Sequence, residues 1–240
     1  MRLFTELLSL TVLLLVQATS AIAQPAVDPS GHWEGIIPLQ GQEVKIEIDL
    51  VRNSKGELAG TFGQPDQGMK GFPLSNVAAE GRAVRFVIKA DAQPAIFTGA
   101  LGADGKLITG KFAMGEHTVP ADLTRLGDAR IAPVPKSAPI GKELEGAWNG
   151  SLDTGDKQMR LTVKMANQPD GTAAGTVMSV DGSGVEVPIG ITQKASNVTI
   201  DVPSVGASFA GVLNTAGTEL NGTWTQTSLA LSLTLRRVGP

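Results

Sequence analysis

The chain has 240 residues, with 23 acidic and 20 basic side chains and a formal charge of −3. It therefore lacks the clustered basic excess that a nucleic-acid partner selects. It contains no cysteine, which removes disulfides, thiolate nucleophiles and cysteine-based zinc sites.

Residues 1–23 read as a secretory signal peptide. Arg2 gives the positive start, Leu7 to Val16 form a short apolar core, and Ala21-Ile22-Ala23 offers the small residues needed for cleavage. That core is about half of the roughly 20 residues that span a bilayer, and no later apolar stretch is longer. No membrane span is expected once the leader is removed. An exported chain without cysteine fits a bacterial periplasmic or secreted protein.

Residues 24–127 form the first unit. After a polar, Pro-containing lead-in, His32 to Leu39 begins the first predicted strand. Val44-Lys45-Ile46-Glu47-Ile48-Asp49-Leu50 alternates strictly, as a strand with one buried and one wet face does. Asn53-Ser54-Lys55-Gly56 is a turn, and Leu58 to Phe62 is the next strand. Gln64-Pro65-Asp66-Gln67-Gly68-Met69-Lys70 is too rich in breakers to stay in a ladder and reads as a loop. Phe72 to Val77, Ala83 to Ile88, Ala95 to Leu101, Leu107 to Phe112 and Val119 to Leu126 complete the set. Residues 128–142 carry Pro133, Pro135 and Pro139 and read as a semi-rigid extended linker.

Residues 143–240 repeat the scheme. Gly31-His32-Trp33-Glu34-Gly35 returns as Gly146-Ala147-Trp148-Asn149-Gly150, 115 positions later. Gly60 falls on Gly175, Asp66 on Asp181 and Pro73 on Pro188 at the same offset. After a short slip, Phe97 meets Phe209, Gly99 meets Gly211, Gly110 meets Gly222 and Arg125 meets Arg237, 112 positions apart. A register held over two segments points to tandem duplication of one β-rich unit. The second unit's strands are Met159 to Met165, Ala173 to Met178, Val185 to Ile191, Val198 to Val202, Ser208 to Leu213, Glu219 to Thr225 and Leu229 to Arg237, after the opening one at Trp148.

About eight short strands per unit, joined by short turns and without helical periodicity, define an all-β fold. Closing each meander into an antiparallel up-and-down barrel removes its unpaired edges. A pair of β-sandwiches is the alternative.

The Gly-x-Trp of the first strand and the basic residue ending the last strand resemble the signature of lipocalin-like (calycin) barrels. In that family the basic side chain crosses the tryptophan ring and closes one barrel end. The resemblance implies this role for Trp33 with Arg125 and for Trp148 with Arg237. The leader, the Gly-x-Trp-x-Gly, the Pro65-Asp66-Gln67-Gly68 loop with Pro73, and the late Gly222-Thr223-Trp224-Thr225-Gln226 are also similar to an accessory domain. That domain precedes the catalytic domain of some exported bacterial α/β-hydrolases. The first unit has Gly110-Lys111-Phe112-Ala113 at the late motif, and the second has Val180-Asp181-Gly182-Ser183-Gly184 at the loop. Each copy therefore keeps a different half. No hydrolase pattern accompanies them, so the resemblance does not imply the family's catalysis.

No catalytic constellation is expected. Gly206-Ala207-Ser208-Phe209-Ala210 lacks the final glycine, the following helix and the downstream histidine of a nucleophile elbow. The Asp-Gly pairs at Asp104, Asp170 and Asp181 lack the alternating carboxylates of a calcium loop. His32 and His117 start the first and last strands of a closed unit, so no metal site and no cofactor are expected. The loop positions Gln64, Asp66, Gln67 and Met69 are the candidate ligand contacts, because small-ligand sites sit at barrel mouths. Trp224 and Phe112, at matching positions, read as core. The expected function is a binding module holding a small apolar or amphipathic ligand in a barrel. The alternative is an interaction module for an exported protein partner, namely a separately encoded hydrolase.

Overall fold

Apolar side chains at every second position decide the architecture. The computed structural model describes residues 27–239 apart from 40, 91, 92 and 156, so the expected signal peptide, 1–23, lies outside the described residues. The first unit contains β1 (Gly31–Leu39), β2 (Gln42–Arg52), β3 (Leu58–Gln64), β4 (Met69–Pro73) and β5 (Ser75–Glu80). It continues with β6 (Ala83–Ile88), β7 (Ala95–Leu101), β8 (Leu107–Met114), β9 (His117–Pro120) and β10 (Leu123–Gly127). In β2 the alternation sends Ile46, Ile48 and Leu50 into the core, with Lys45, Glu47 and Asp49 on the outer face.

The ladder runs β4-β3-β2-β1-β10-β8-β7-β6-β5, with β9 also on β8. Its two ends, β4 and β5, are joined by the single residue Leu74, whose N–H donates to Gly60 O at 2.9 Å. The expected strand Phe72–Val77 is thus two short strands, one serving each end of the sheet. The expected strand Val119–Leu126 is also divided, into β9 and β10. There Pro120 has no N–H to give, and the Asp122 carboxylate accepts the N–H of Gly110 at 3.3 Å. These two breaks raise the first unit from the expected eight strands to ten.

The second unit comprises β11 (Gly146–Asp153), β12 (Gln158–Asn167), β13 (Ala173–Ser179), β14 (Val187–Lys194), β15 (Asn197–Val202), β16 (Ala207–Leu213), β17 (Glu219–Gln226) and β18 (Leu229–Arg237). It is a closed barrel in simple sequence order, with β18 back beside β11. Closure excludes the sandwich for this unit. Gly60 and Gly175 lie at matching close approaches between neighbouring strands. A Cβ on Gly60 would sit 2.4 Å from Asp49 O, and one on Gly175 would sit 2.6 Å from Lys164 O.

One cross-strand row shows how the interiors differ. In the first unit Phe86, Phe97 and Phe112 lie side by side on β6, β7 and β8. Their rings stack at 4.6 Å for Phe86–Phe97 and tilt at 5.0 Å for Phe97–Phe112. The corresponding row of the second barrel is Ile200, Phe209 and Trp224. Buried apolar side chains run continuously through both units.

The Pro-containing segment between the units is seated against both. The Arg130 N–H donates to Asp49 Oδ1 at 2.6 Å. Ser137 forms a two-way bridge with Ala173, and its hydroxyl accepts the Ile191 N–H at 2.7 Å.

Candidate functional site

Each unit has one end sealed by a tryptophan. Trp33 and Trp148 are fully buried. Their indole N–H groups donate to Pro29 O and Leu144 O, each at 2.9 Å. Arg125 faces Trp33 across the β1–β10 ladder, and Arg237 faces Trp148 across β11–β18. The guanidinium carbons lie 5.5 Å and 5.7 Å from the indole centroids, within the range of a cation–π contact. Arg237 also donates to the carbonyls of Lys142 and Glu145.

The second barrel opens at the opposite end, where β12 and β14 begin and β13 and β17 finish. A cavity of about 130 Å³ lies there, walled by Leu161, Val177, Val185, Val187 and Trp224. Phe72 and Ala90 of the first unit line it from across the junction. Trp224 is only 5% exposed, and its indole N–H has no hydrogen-bond acceptor among the described residues. Gln226 at the rim donates to Val205 O at 3.0 Å. Ser204, whose buried hydroxyl also has no partner among the described residues, borders a neighbouring cleft of about 210 Å³ under the Pro133–Pro135 segment.

The expected loop residues stand at this junction but do not line the cavity. Pro65–Gln67 is a 3₁₀ turn in which Asp66 and Gln67 are exposed, and Gln64 before it is half-buried. Met69 opens β4 and packs partly against the core. Gly68 ends this turn at φ 68°, and Gly206 ends the matching 3₁₀ turn Pro203–Val205 at φ 61°. The two glycines meet backbone to backbone: a Cβ on Gly206 would sit 2.9 Å from Gly68 O. The loop thus docks the units, and Phe72, four positions past Gly68, is the side chain that reaches the cavity.

A second polar constellation lies on the outer face of β1 and β2. The β1–β2 register sets His32 opposite Asp49 and Glu34 opposite Glu47. The Lys45 ammonium, 2.8 Å from Glu34 Oε2, donates to that carboxylate and holds it below its ordinary range. From the sequence alone His32 is set only against His117, which is exposed at the start of β9. The signal that would have found the cluster is the β2 alternation itself, which sends Lys45, Glu47 and Asp49 to one face. Laying His32 and Glu34 beside that face completes the group.

No protein-family model matches the chain, and no curated protein matches it in sequence. Among solved structures it is similar to a Bacteroides fragilis protein provisionally described as an outer membrane protein. That match has 14% identity and a TM-score of 0.28, covering 87% of this chain and 97% of that one. It is also similar to a protein of unknown function from the DUF3598 family of Nostoc punctiforme. Here identity is 14% and the TM-score 0.27, covering 87% of this chain and 96% of that one. Likenesses this distant carry no argument about function. Among the described residues no helix is long and apolar enough to cross a membrane.

Proposed function

We propose that the chain is an exported, non-catalytic binding protein made of two tandem copies of a lipocalin-like barrel, and that it holds a small apolar or amphipathic molecule at the open end of the second. The observation that carries this reading is the mainly apolar cavity lined by Trp224, whose buried indole N–H finds no acceptor among the described residues. A buried donor without an acceptor costs about 1–3 kcal/mol. A ligand with an apolar body and one acceptor atom would relieve that cost while covering the valine and leucine walls. The volume is close to that of cavities of about 150 Å³ that take benzene, so the fitting size is a single ring or the end of an alkyl chain. The leader supports export, and the paired Trp33–Arg125 and Trp148–Arg237 contacts support the repeated lipocalin-like unit.

The test is native mass spectrometry of the mature protein purified gently from its host, alongside Val185→Phe, which fills the cavity from a half-exposed position. A bound mass that is lost on denaturation and absent from the variant is the expected result. A clean apo spectrum, with no change in tryptophan fluorescence on adding single-ring ketones or medium-chain fatty acids, would reject the reading.

A different observation favours a second reading, an interaction module for a separately encoded exported hydrolase. A groove of about 680 Å³ on the outer face of the first unit exposes Ile36 and Leu126 by 55% and 52%. Charge substitution at Ile36 would then abolish co-purification of the hydrolase and leave the cavity ligand in place.

A further inference from the structure

On the outer face of the first unit, the geometry points to a divalent transition-metal site formed by His32 Nε2, Glu34 Oε1 and a Glu47 carboxylate oxygen. One ligand atom from each lies within 4.8 Å of the other two. The imidazole is 1% exposed, and its orientation is fixed on one side: Nδ1–H donates to Asp49 Oδ1 at 2.9 Å. Asp49 is itself held by the Arg130 N–H from the inter-unit segment. A carboxylate bonded to the remote ring nitrogen is the support that metal-binding histidines ordinarily have, because it sets the tautomer and raises the basicity of the other nitrogen.

With the proton on Nδ1, Nε2 carries a lone pair and faces Glu34 Oε1 at 3.4 Å. Two acceptors at that distance make no hydrogen bond. The separation equals the edge of a tetrahedron with zinc–ligand bonds of about 2.1 Å. Glu34 and Glu47 are directly opposed on neighbouring strands, an unfavourable pairing for like charges. Lys45 relieves part of it, but it occupies Oε2 of Glu34 and leaves Oε1 turned toward the imidazole. Glu47 is half-buried and can swing to close the third edge. One imidazole and two carboxylates suit a cation of the zinc class, and the fourth position would take water. The corresponding positions of the second barrel, Ala147, Asn149 and Thr162, offer no such set, so the site belongs to the first unit alone. The competing occupant is a proton on Nε2, which would bridge to Glu34.

Zn²⁺ is titrated into the mature chain at neutral pH in a non-chelating buffer. Binding is followed by calorimetry and by long-range ¹H–¹⁵N correlation of the imidazole. The expected result is one saturable site, a shift of the His32 Nε2 resonance, and affinity reduced about 10–100-fold in Asp49→Asn and at least as far in Glu47→Gln. Glu47→Gln keeps the size and shape of the side chain on the outer face of β2 and leaves the fold intact, so its loss of binding is diagnostic. Equal Zn²⁺ affinity in Glu47→Gln and the native chain would overturn the site, as would no saturation at millimolar Zn²⁺. So would an Nε2 proton that persists in excess metal, which assigns the position to an imidazolium.

Discussion

The Trp–Arg contacts are the most repetitive chemistry in the molecule, down to the carbonyl four residues upstream that takes each indole N–H. Arg125 is half-buried and Arg237 exposed, so screening by water weakens the second contact more. Arg125→Met keeps the apolar stem over Trp33 and removes the charge. It is expected to lower stability by about 1 kcal/mol, measured by urea unfolding. These four residues were legible because each pairing joins a fixed point at a strand start to a fixed point at a strand end. The Trp224 N–H was not legible. Phe112 occupies the same row in the first unit without a polar atom, and whether an indole finds an acceptor depends on neighbours that another unit supplies.

Strands were legible wherever alternation alone decided them, as in β2 and β12, and illegible where a partner strand broke them. Pro73 and Pro120 mark both places locally, but the breaks themselves are made by Gly60 O and Gly110 N–H, from distant positions. The same limit hid the pair that ties the loop after β13 to β12. There Asp181 accepts the Arg160 backbone N–H at 2.9 Å and the guanidinium Nε at 3.0 Å. Bonding from the Arg160 side chain is the largest reason its carboxyl titrates at about 2. Asp170, bonded first by the Thr172 hydroxyl and then by Lys136, also lies at about 2. An unfolded aspartate titrates near 3.9. The sign follows from a depressed folded-state value: the stabilisation is present above about pH 4 and is lost as pH falls toward 2. Asp181→Asn is therefore expected to flatten the acid limb of thermal stability between those values. Both carboxylates are exposed, so molar salt should shrink the difference between variant and native chain. Melting curves across that window at low and high salt measure it.

At the scale of the whole chain, the two units are joined by a backbone contact as well as by a linker. The Gly68–Gly206 meeting brings the 3₁₀ turns together and sets Phe72 of the first unit into the wall of the second unit's cavity. If that junction holds the ligand site in shape, its disruption must cost more than local backbone strain. Gly206 and Gly184 share a φ of 61°, but a Cβ on Gly184 would meet nothing within 4 Å. Gly184→Ala should therefore cost only the left-handed penalty of roughly 1–2 kcal/mol. Gly206→Ala adds a collision with Gly68 O, for which overpacking of about 1–3 kcal/mol is the appropriate scale. Urea unfolding of both variants, followed by tryptophan fluorescence, measures the excess directly. A clear excess for Gly206→Ala, with the Trp224 environment perturbed before global unfolding, identifies the junction as part of the proposed binding site. Equal costs would mean that the turns merely touch, and that the second barrel forms its cavity without help from the first.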